Sequence, residues 1–289
     1  MSERSYAILE TRGVVRLAGV DDARGFLQGL VTNDVSAVAH GRAVYAGLLS
    51  PQGKYLHDFL VFELGDGIAL DCERARIGDL IRRLTIYRLR ARIDIADASE
   101  SYLVAALMDR GTPELAHLDG AAFPDPRLAA LGWRAVLPRA TAGVRLEAAG
   151  YAPAGAHAYE SLRIALGVPD GSRDMVVDKS FLLESNFEEL HGVDFAKGCY
   201  VGQENTARQK HRGTVRKRLM PVAIDGPPPA PGTPILFAGG DAGTMRSSID
   251  GKGIALLRLE VVDKAAETSQ PLVAGDARLT PLRPGWADA

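Results

Sequence analysis

The chain has 289 residues, 46% of them hydrophobic and 24% charged, which is the composition of a globular protein and excludes intrinsic disorder. Its net charge of -2, from 34 basic and 36 acidic residues, argues against a dedicated nucleic-acid-binding protein. Cys72 and Cys199 form no CxxC or Cys/His cluster, so we expect neither a metal site nor a disulfide. No apolar run reaches the roughly 18 residues of a membrane helix, and the first residues show no targeting pattern. These features predict a cytoplasmic protein.

The first hundred residues predict a mixture of strands and helices. GVVRLAG is typical of a strand, and DDARGFLQGLV predicts a helix capped by Asp21 or Asp22. Residues 43 to 72 contain three apolar runs separated by SPQG and GDG, which predicts an antiparallel meander. An amphipathic helix should follow, because four apolar residues recur at helical spacing: Ile77, Leu80, Ile81 and Leu84. LRARIDI then alternates like a strand.

The remainder divides into a second mixed region and a β-rich region. SYLVAAL and WRAVL predict strands, and AHAYESLRIALG predicts a helix that ends at Gly167. From about residue 213 helical periodicity disappears. The short runs LMPVAI, TPILF, GIALLRL and ARLTPL, between Pro- and Gly-rich breaks, predict a small all-β domain that contains DGPPPAPGTP as a loop.

The most unusual stretch is KGCYVGQE, residues 197 to 204. Gly198 and Gly202 allow a close backbone approach to a ligand or a positive φ, and Tyr200 offers an aromatic face for a flat heterocycle. A helix starting near Gly202 would place Cys199 before its positive end and beside Lys197, and both influences would lower the thiol pKa. The alternative is that Cys199 is a small buried hydrophobic residue.

Six cationic residues with no acidic residue among them follow this motif: Arg208, Lys210, Arg212, Arg216, Lys217 and Arg218. Their density suits a polyanion such as a polyglutamate tail, a phosphate or RNA. The alternative is a solvated basic connector. A second arginine-rich stretch, RRLTIYRLRAR, is assigned to a helix end and one strand face. His191 and His211 are near Cys199 in sequence, which alone does not establish a Cys–His pair.

KGCYVGQE followed by ARQKHRG resembles the signature of the YgfZ family of folate-binding proteins, relatives of the aminomethyltransferase, or T-protein, of the glycine cleavage system. Further segments recur in the family's order over nearly the whole chain: FLQGLVTNDV, LLSPQGKYLHDFLVF, RIALGVP, LLESNF and GIALLR. The resemblance implies an α+β fold of the T-protein type, a three-domain ring of two interleaved α+β domains and a C-terminal β-barrel. The implied boundaries are 1–100, 101–212 and 213–289, with tetrahydrofolate or a one-carbon derivative in the central channel.

The resemblance also implies the residues of the folate site. Glu184 would bind the pterin nitrogens, since a carboxylate accepts two N–H bonds; its alternative role is to cap SNFEEL. The other residues implied to contact folate are Lys197, Gly198, Tyr200, Gly202, Arg208 and Asp58. T-proteins carry paired aspartates where this chain reads LHDF, so that His57 replaces the first and Asp58 matches the second. They also lack the KGCY cysteine.

The function implied by the resemblance is that of a tetrahydrofolate-binding accessory protein for iron–sulfur cluster assembly or repair, which indirectly supports tRNA modification. Its partners would be iron–sulfur carrier or client proteins, with Cys199 as a transient thiolate ligand or redox partner. It would not be a conventional enzyme. The alternative is a folate-dependent aminomethyltransferase, and an RNA-binding protein is less favoured because few aromatic residues accompany the basic ones. The sequence leaves the oligomeric state open.

Overall fold

The computed structural model describes residues 4–19, 22–108, 119–213 and 215–287. The chain forms two compact units. The first unit comprises Met1–Pro51, Leu56–Tyr159 and Leu190–Gln203, and the second comprises Gln52–Tyr55, Glu160–Glu189 and Glu204–Ala289. The chain therefore passes between the units several times. The three-domain boundaries given above remain a prediction.

The structure is of the predicted α+β class. The helices of the described residues are, in chain order, α1 (Ala23–Gln28), α2 (Ile77–Arg88), α3 (Ala142–Ala148), α4 (Gly155–Ala165), α5 (Gly171–Asp174), α6 (Gln203–Arg212) and α7 (Leu259–Thr268). The strands of the same residues are β1 (Ser5–Ile8), β2 (Arg12–Gly19), β3 (Val44–Leu49), β4 (Tyr55–Leu64), β5 (Gly67–Glu73), β6 (Ile93–Asp97), β7 (Tyr102–Met108), β8 (Ala121–Pro124), β9 (Trp133–Pro138), β10 (Ala152–Pro153), β11 (Lys217–Asp225), β12 (Pro234–Phe237), β13 (Gly240–Ile249), β14 (Lys252–Arg258), β15 (Leu272–Ala274) and β16 (Ala277–Pro281).

The first unit contains two five-stranded sheets, ordered β3-β4-β5-β2-β6 and β10-β1-β7-β9-β8. The predicted meander is confirmed as β3 to β5. Cys72 on β5 pairs with Phe59 on β4 and with Gly13 on β2, and it is 1% exposed within a hydrophobic core. Helix α2 packs onto this core through apolar residues at the predicted spacing: Ile77, Leu80 and Leu84.

Helix α1 is shorter than its sequence pattern suggested. The side chain of Asp22 caps it by accepting a hydrogen bond of 2.9 Å from the backbone N–H of Arg24. Asp21, the other predicted cap, lies outside the described residues. The helix ends at Gln28, and Leu30 is buried beyond its end. The apolar run thus continues into the loop that follows.

The second unit contains a closed barrel of six strands, ordered β11-β14-β13-β12-β15-β16. The C-terminal barrel is thereby confirmed, with DGPPPAPGTP in the loop between β11 and β12. The prediction that this region is entirely β is wrong, because α7 directly follows β14. Val262 and Ala265 of α7 are buried in the barrel core. The segment GIALLRL, predicted as one strand, extends from β14 into the first residue of α7, so the change of periodicity was concealed.

A buried ion pair joins the RIALGVP segment to the barrel. Arg163 is 1% exposed and bonds Glu160 at 2.8 Å and Asp174 at 2.9 Å. Asp174 in turn accepts a bond of 2.6 Å from the hydroxyl of Ser247 on β13. Burial opposes the charge of Arg163, but Asp174 and Glu160 outweigh it and raise its pKa. Arg163 therefore has a structural role: through Asp174 it links the RIALGVP segment to the barrel strand β13.

No helix among the described residues is both long and apolar enough to cross a membrane. Within the same part of the chain, His, Cys, Asp and Glu residues do not gather in groups of three or more that could hold a metal ion.

Candidate functional site

The motif around Cys199 forms an exposed loop immediately before α6. The helix begins at Gln203, as the sequence predicted, and the backbone N–H of Tyr200 donates to Oε1 of Gln203 at 3.1 Å. Gly202 adopts a φ of 84°, a conformation that glycine tolerates far better than other residues. Gly198 needs no such freedom, since a Cβ atom there would meet open space. The loop thus presents the thiol to solvent.

Lys197 anchors this loop to the segment after α1. Its ammonium donates to the carbonyl oxygens of Gln28 at 2.9 Å, Val31 at 2.7 Å and Asn33 at 2.6 Å. Burial lowers its pKa to about 8, against the opposing effect of Asp34 and Asp194, so it is protonated at neutral pH. The protonated amine of Lys197 has three N–H donors, one for each of the three carbonyl oxygens. The effect of Lys197 on the thiol remains a prediction.

Further bonds join the same two segments. Thr32 donates through Oγ1 to the carbonyl of Gly192 at 2.6 Å, and Nδ2 of Asn33 donates to the carbonyl of His191 at 2.7 Å. The backbone N–H of Val201 donates to the carbonyl of Gly29 at 3.3 Å. Two sequence motifs, FLQGLVTNDV and KGCYVGQE, are therefore parts of one local structure. Sequence reasoning missed Thr32 and Asn33, whose partners are backbone atoms about 160 residues away.

His57 and Asp58 are adjacent on β4 and both are 3% exposed. Nε2 of His57 lies 2.8 Å from Oδ2 of Asp79 on α2. Burial and the nearby Arg76 lower the pKa of His57 to about 4, despite the opposing effect of Asp79. Asp58 accepts a hydrogen bond of 3.2 Å from the hydroxyl of Tyr45. Each side chain thus has a protein partner, and the predicted contact of Asp58 with folate remains a prediction.

A chain of buried charges lies close to Tyr45. Asp125 bonds Arg127 at 2.7 Å and Arg134 at 3.0 Å, and the hydroxyl of Tyr159 accepts from both guanidinium groups at 2.9 Å. The guanidinium carbon of Arg127 lies 5.7 Å from the centroid of the Tyr45 ring. Burial opposes ionisation of Asp125, but the two arginines outweigh it and hold its pKa below the usual range. Sequence reasoning missed this network, because charged residues are normally exposed.

In the second unit, Glu184 lies on a short 3-10 turn formed by Leu183–Ser185. It is half-buried, and burial raises its pKa although Lys217 and Lys54 oppose this. Its carboxylate has no hydrogen-bond partner among the residues that the structure describes. Nζ of Lys54 lies 3.1 Å from the centroid of the Phe181 ring. The turn therefore offers a partly desolvated acceptor group beside two cations.

The basic residues after the motif do not form one connector. Arg208, Lys210 and Arg212 lie on α6, whereas Lys217 and Arg218 begin β11. The sequence suggested that no acidic residue balances them, but Lys210 bonds Glu188 and Arg218 bonds Glu189 within the second unit. Arg208 is exposed on α6. The charge available to a polyanion is therefore smaller than the sequence count indicates.

Comparison with known proteins adds the family. Residues 216–289 match the family model described as the CAF17 C-terminal beta-barrel domain. The chain is 35% identical to the mitochondrial iron–sulfur cluster assembly factor IBA57 of Homo sapiens, over 92% of this chain and 82% of that protein. It is 32% identical to the factor of the same name from Mus musculus, over 88% and 77%. The chain belongs to the IBA57 family.

The IBA57 relatives correct one prediction. A cytoplasmic location was expected, but these relatives, and a homologue from Mycosarcoma maydis that is 33% identical, are named as mitochondrial proteins. The prediction is therefore wrong. A composition without disulfides or membrane helices is equally compatible with a mitochondrial compartment, so the sequence features used could not separate the two.

The fold comparison agrees with the expected architecture of this IBA57 family member. The structure is similar to the crystal structure of glycine cleavage system aminomethyltransferase T from Bartonella henselae, with a TM-score of 0.73 over 97% of this chain and 85% of that chain. The sequence identity is 14%, so this similarity concerns the fold alone.

The two cysteines of this IBA57 family member should differ strongly in reactivity. We expect iodoacetamide to label Cys199 at least about tenfold faster than Cys72 in the native protein, because the first is exposed. Burial raises the pKa of Cys72 and keeps its thiol protonated. Peptide mass spectrometry after timed alkylation measures both rates in one sample, and unfolding in urea should equalise them. Equal native rates would contradict the burial of Cys72.

The protein should become less stable as the pH is lowered, because of His57. Its folded pKa of about 4 lies below the unfolded value of 6.5, so the unfolded chain binds the proton first as pH falls. The free energy of unfolding should therefore decrease by about 3 kcal/mol between pH 6.5 and pH 4. Urea unfolding at several pH values measures this. His57→Gln should flatten the curve, whereas His40→Gln, at an exposed position, should not; identical curves for wild type and His57→Gln would contradict the assignment.

Proposed function

We propose that this protein is an accessory factor in iron–sulfur cluster assembly that binds a reduced folate. The observation that carries the first part is the identity of 32–35% with iron–sulfur cluster assembly factors over most of both chains. The exposed loop of Cys199 supports it, because an accessible thiolate is a ligand for iron. We also propose a mitochondrial location, because the same relatives are named as mitochondrial proteins.

The cluster would be a transferred substrate, which Cys199 binds only for a short time. A stable cluster needs about four ligands, whereas this chain has two cysteines, one of them buried. Cys199 would therefore contribute one ligand during transfer, while an iron–sulfur carrier or client protein supplies the others. The anchor at Lys197 would hold the loop in position for this contact, because its three carbonyl bonds restrict the residues next to the thiol.

The residues of the second unit suit a folate. The half-buried carboxylate of Glu184, which lacks a hydrogen-bond partner among the described residues, is matched to a ligand edge that carries two N–H donors. The adjacent Lys54 and Lys217 favour its ionised form, which accepts both bonds. Exposed Arg208, also in the second unit, would attract the anionic tail. When bound, a reduced folate supplies an oxidisable ring and a one-carbon carrier.

Saturating tetrahydrofolate should raise the melting temperature. A ligand that binds only the native state at about a hundredfold over its Kd adds about 2.7 kcal/mol to stability. Glu184→Gln should weaken binding, since an amide turns an N–H donor toward one of the two ligand donors. The matched control is Glu267→Gln, at an exposed position on α7. Thermal shift and calorimetry measure both; no shift and no heat with the wild-type protein would overturn the folate proposal.

Aminomethyl transfer is the second candidate, favoured by the fold shared with aminomethyltransferase T. His57, which the sequence resemblance aligns with the first aspartate of T-proteins, is bound to Asp79. Incubation with lipoylated carrier protein, ammonia and methylene-tetrahydrofolate separates the candidates. We expect no glycine-cleavage partial reaction, and turnover would favour the transferase.

A further inference from the structure

The carboxyl end of α2 exposes a concentration of apolar side chains. Eight large hydrophobic side chains are exposed in the described part of the chain, and three of them are within four residues: Ile86 at 62%, Tyr87 at 36% and Leu89 at 86%. Single exposed hydrophobic residues are normal on a protein surface, whereas adjacent ones are more often part of an interface. This helix end is therefore a candidate contact surface.

Leu89 is also in an unfavourable backbone conformation. It follows the last residue of α2 with a φ of 49° and a ψ of -108°. Residues with a Cβ atom rarely adopt this conformation, because at positive φ the side chain crowds its own backbone. The chain thus retains a large apolar residue where a small one would favour folding and solubility. Its exposure and its backbone conformation together make Leu89 a candidate contact residue.

Arginines surround the apolar residues. Five occur between residues 82 and 92 with no acidic residue among them: Arg82, Arg83, Arg88, Arg90 and Arg92. Arg82 and Arg83 both bond Asp79, and Arg88 donates to the carbonyl of Ile93 at 3.0 Å. Arg90 is exposed. The surface is locally cationic in a protein whose net charge is -2.

We propose that this surface, the α2 end patch (Ile86, Tyr87, Leu89 and Arg90), binds an acidic segment of a partner protein that also carries apolar side chains. Aromatic side chains and arginine are enriched at protein interfaces, and complementary charge orients the encounter. An anionic membrane is the weaker alternative. The apolar stripe of α2 is already buried in the protein core, whereas a membrane-surface helix needs that face for lipid.

Three variants test the proposal in vitro. Leu89→Gly removes the apolar contact and relieves the backbone, so it should raise the melting temperature while it weakens binding. Arg90→Glu reverses one charge at the rim. Val144→Ser is the control, because Val144 is 74% exposed on α3 and lies outside the patch.

The probe is a fluorescent, glutamate-rich copolymer of glutamate and tyrosine, measured by anisotropy at several salt concentrations. Leu89→Gly and Arg90→Glu should each weaken binding by about tenfold, and Val144→Ser should leave it unchanged. Equal binding by wild type and both patch variants overturns the proposal. Vesicles of phosphatidylcholine and phosphatidylserine are the second probe: wild-type binding to them that Leu89→Gly abolishes assigns the patch to a membrane and also overturns it.

A complementation experiment in cells, which rests on the proposed function, tests whether the α2 end patch is needed for function. In a strain lacking this protein, Leu89→Gly should fail to restore cluster-dependent enzymes although the purified variant still binds tetrahydrofolate. Full restoration by Leu89→Gly and Arg90→Glu overturns the docking proposal. If the proposed function itself is wrong, the wild-type chain also fails to restore these enzymes, so the two failures are distinguishable.

Discussion

Replacement of Asp125 by asparagine is expected to lower the free energy of unfolding by about 3–5 kcal/mol. Asp125 is 5% exposed and bonds the guanidinium groups of Arg127 and Arg134, which are equally buried. Without the carboxylate, the two buried guanidinium groups lose their shared anion; the hydroxyl of Tyr159 still accepts from both, and Arg134 keeps the carboxylate of Asp71 at 3.6 Å. Urea or thermal unfolding of the purified variant measures the loss.

Asp119→Asn is the matched control. Asp119 bonds Arg145 at 2.6 Å, but its side chain is 76% exposed, and exposed ion pairs contribute at most about 1 kcal/mol. The contrast between the two variants separates burial from pairing. Asp125→Asn within about 1 kcal/mol of the wild type would contradict the buried network. Because the pKa of Asp125 is lowered, its contribution is present above about pH 4 and is lost as pH falls further.

Cys199→Ser is expected to remove function with little effect on folding. The variant should retain the wild-type melting temperature and tetrahydrofolate binding, since Cys199 is exposed. In a strain lacking the protein, the activity of cluster-dependent enzymes should stay at least about tenfold below that with the wild type, because a serine hydroxyl does not replace a thiolate as an iron ligand.

Cys72→Ala provides the control for this experiment. It removes a thiol from the core beside Phe59 and Gly13, so it should cost stability while function is retained. Full restoration by Cys199→Ser would show that the thiol is dispensable, and the proposed role of the motif would then shift to Tyr200 and the glycines.

Local patterns predicted the parts of the fold that depend on local interactions. The spacing of Ile77, Leu80 and Leu84 specified α2, and the SPQG and GDG turns specified the meander, because periodicity and turn chemistry act over a few residues. Helix α7 was missed because Leu259 continues the apolar run of β14. No glycine, proline or other turn residue marks the point where the strand ends and the helix begins.

The candidate site was predicted less completely. Sequence patterns drew attention to Cys199, whereas the family resemblance supplied Glu184 and the proposed roles of both residues. The anchor at Lys197 could not be inferred, because its partners are carbonyl groups that any sequence provides. The buried arginines at 127, 134 and 163 were likewise missed: acidic partners are close in sequence, but a local pattern of charges does not show that the pairs are buried.

The path of the chain gives the thiol loop a particular place in protein synthesis. Residues 190–203 complete the first unit, yet they are made after residues 160–189, which belong to the second unit. A nascent chain that stops at residue 189 lacks Lys197, so the carbonyl groups of Gln28, Val31 and Asn33 have no ammonium donor. The hydrogen bonds of Lys197 can form only after the ribosome has translated the motif. A translation product that ends at residue 189 therefore lacks both Cys199 and the last segment of the first unit.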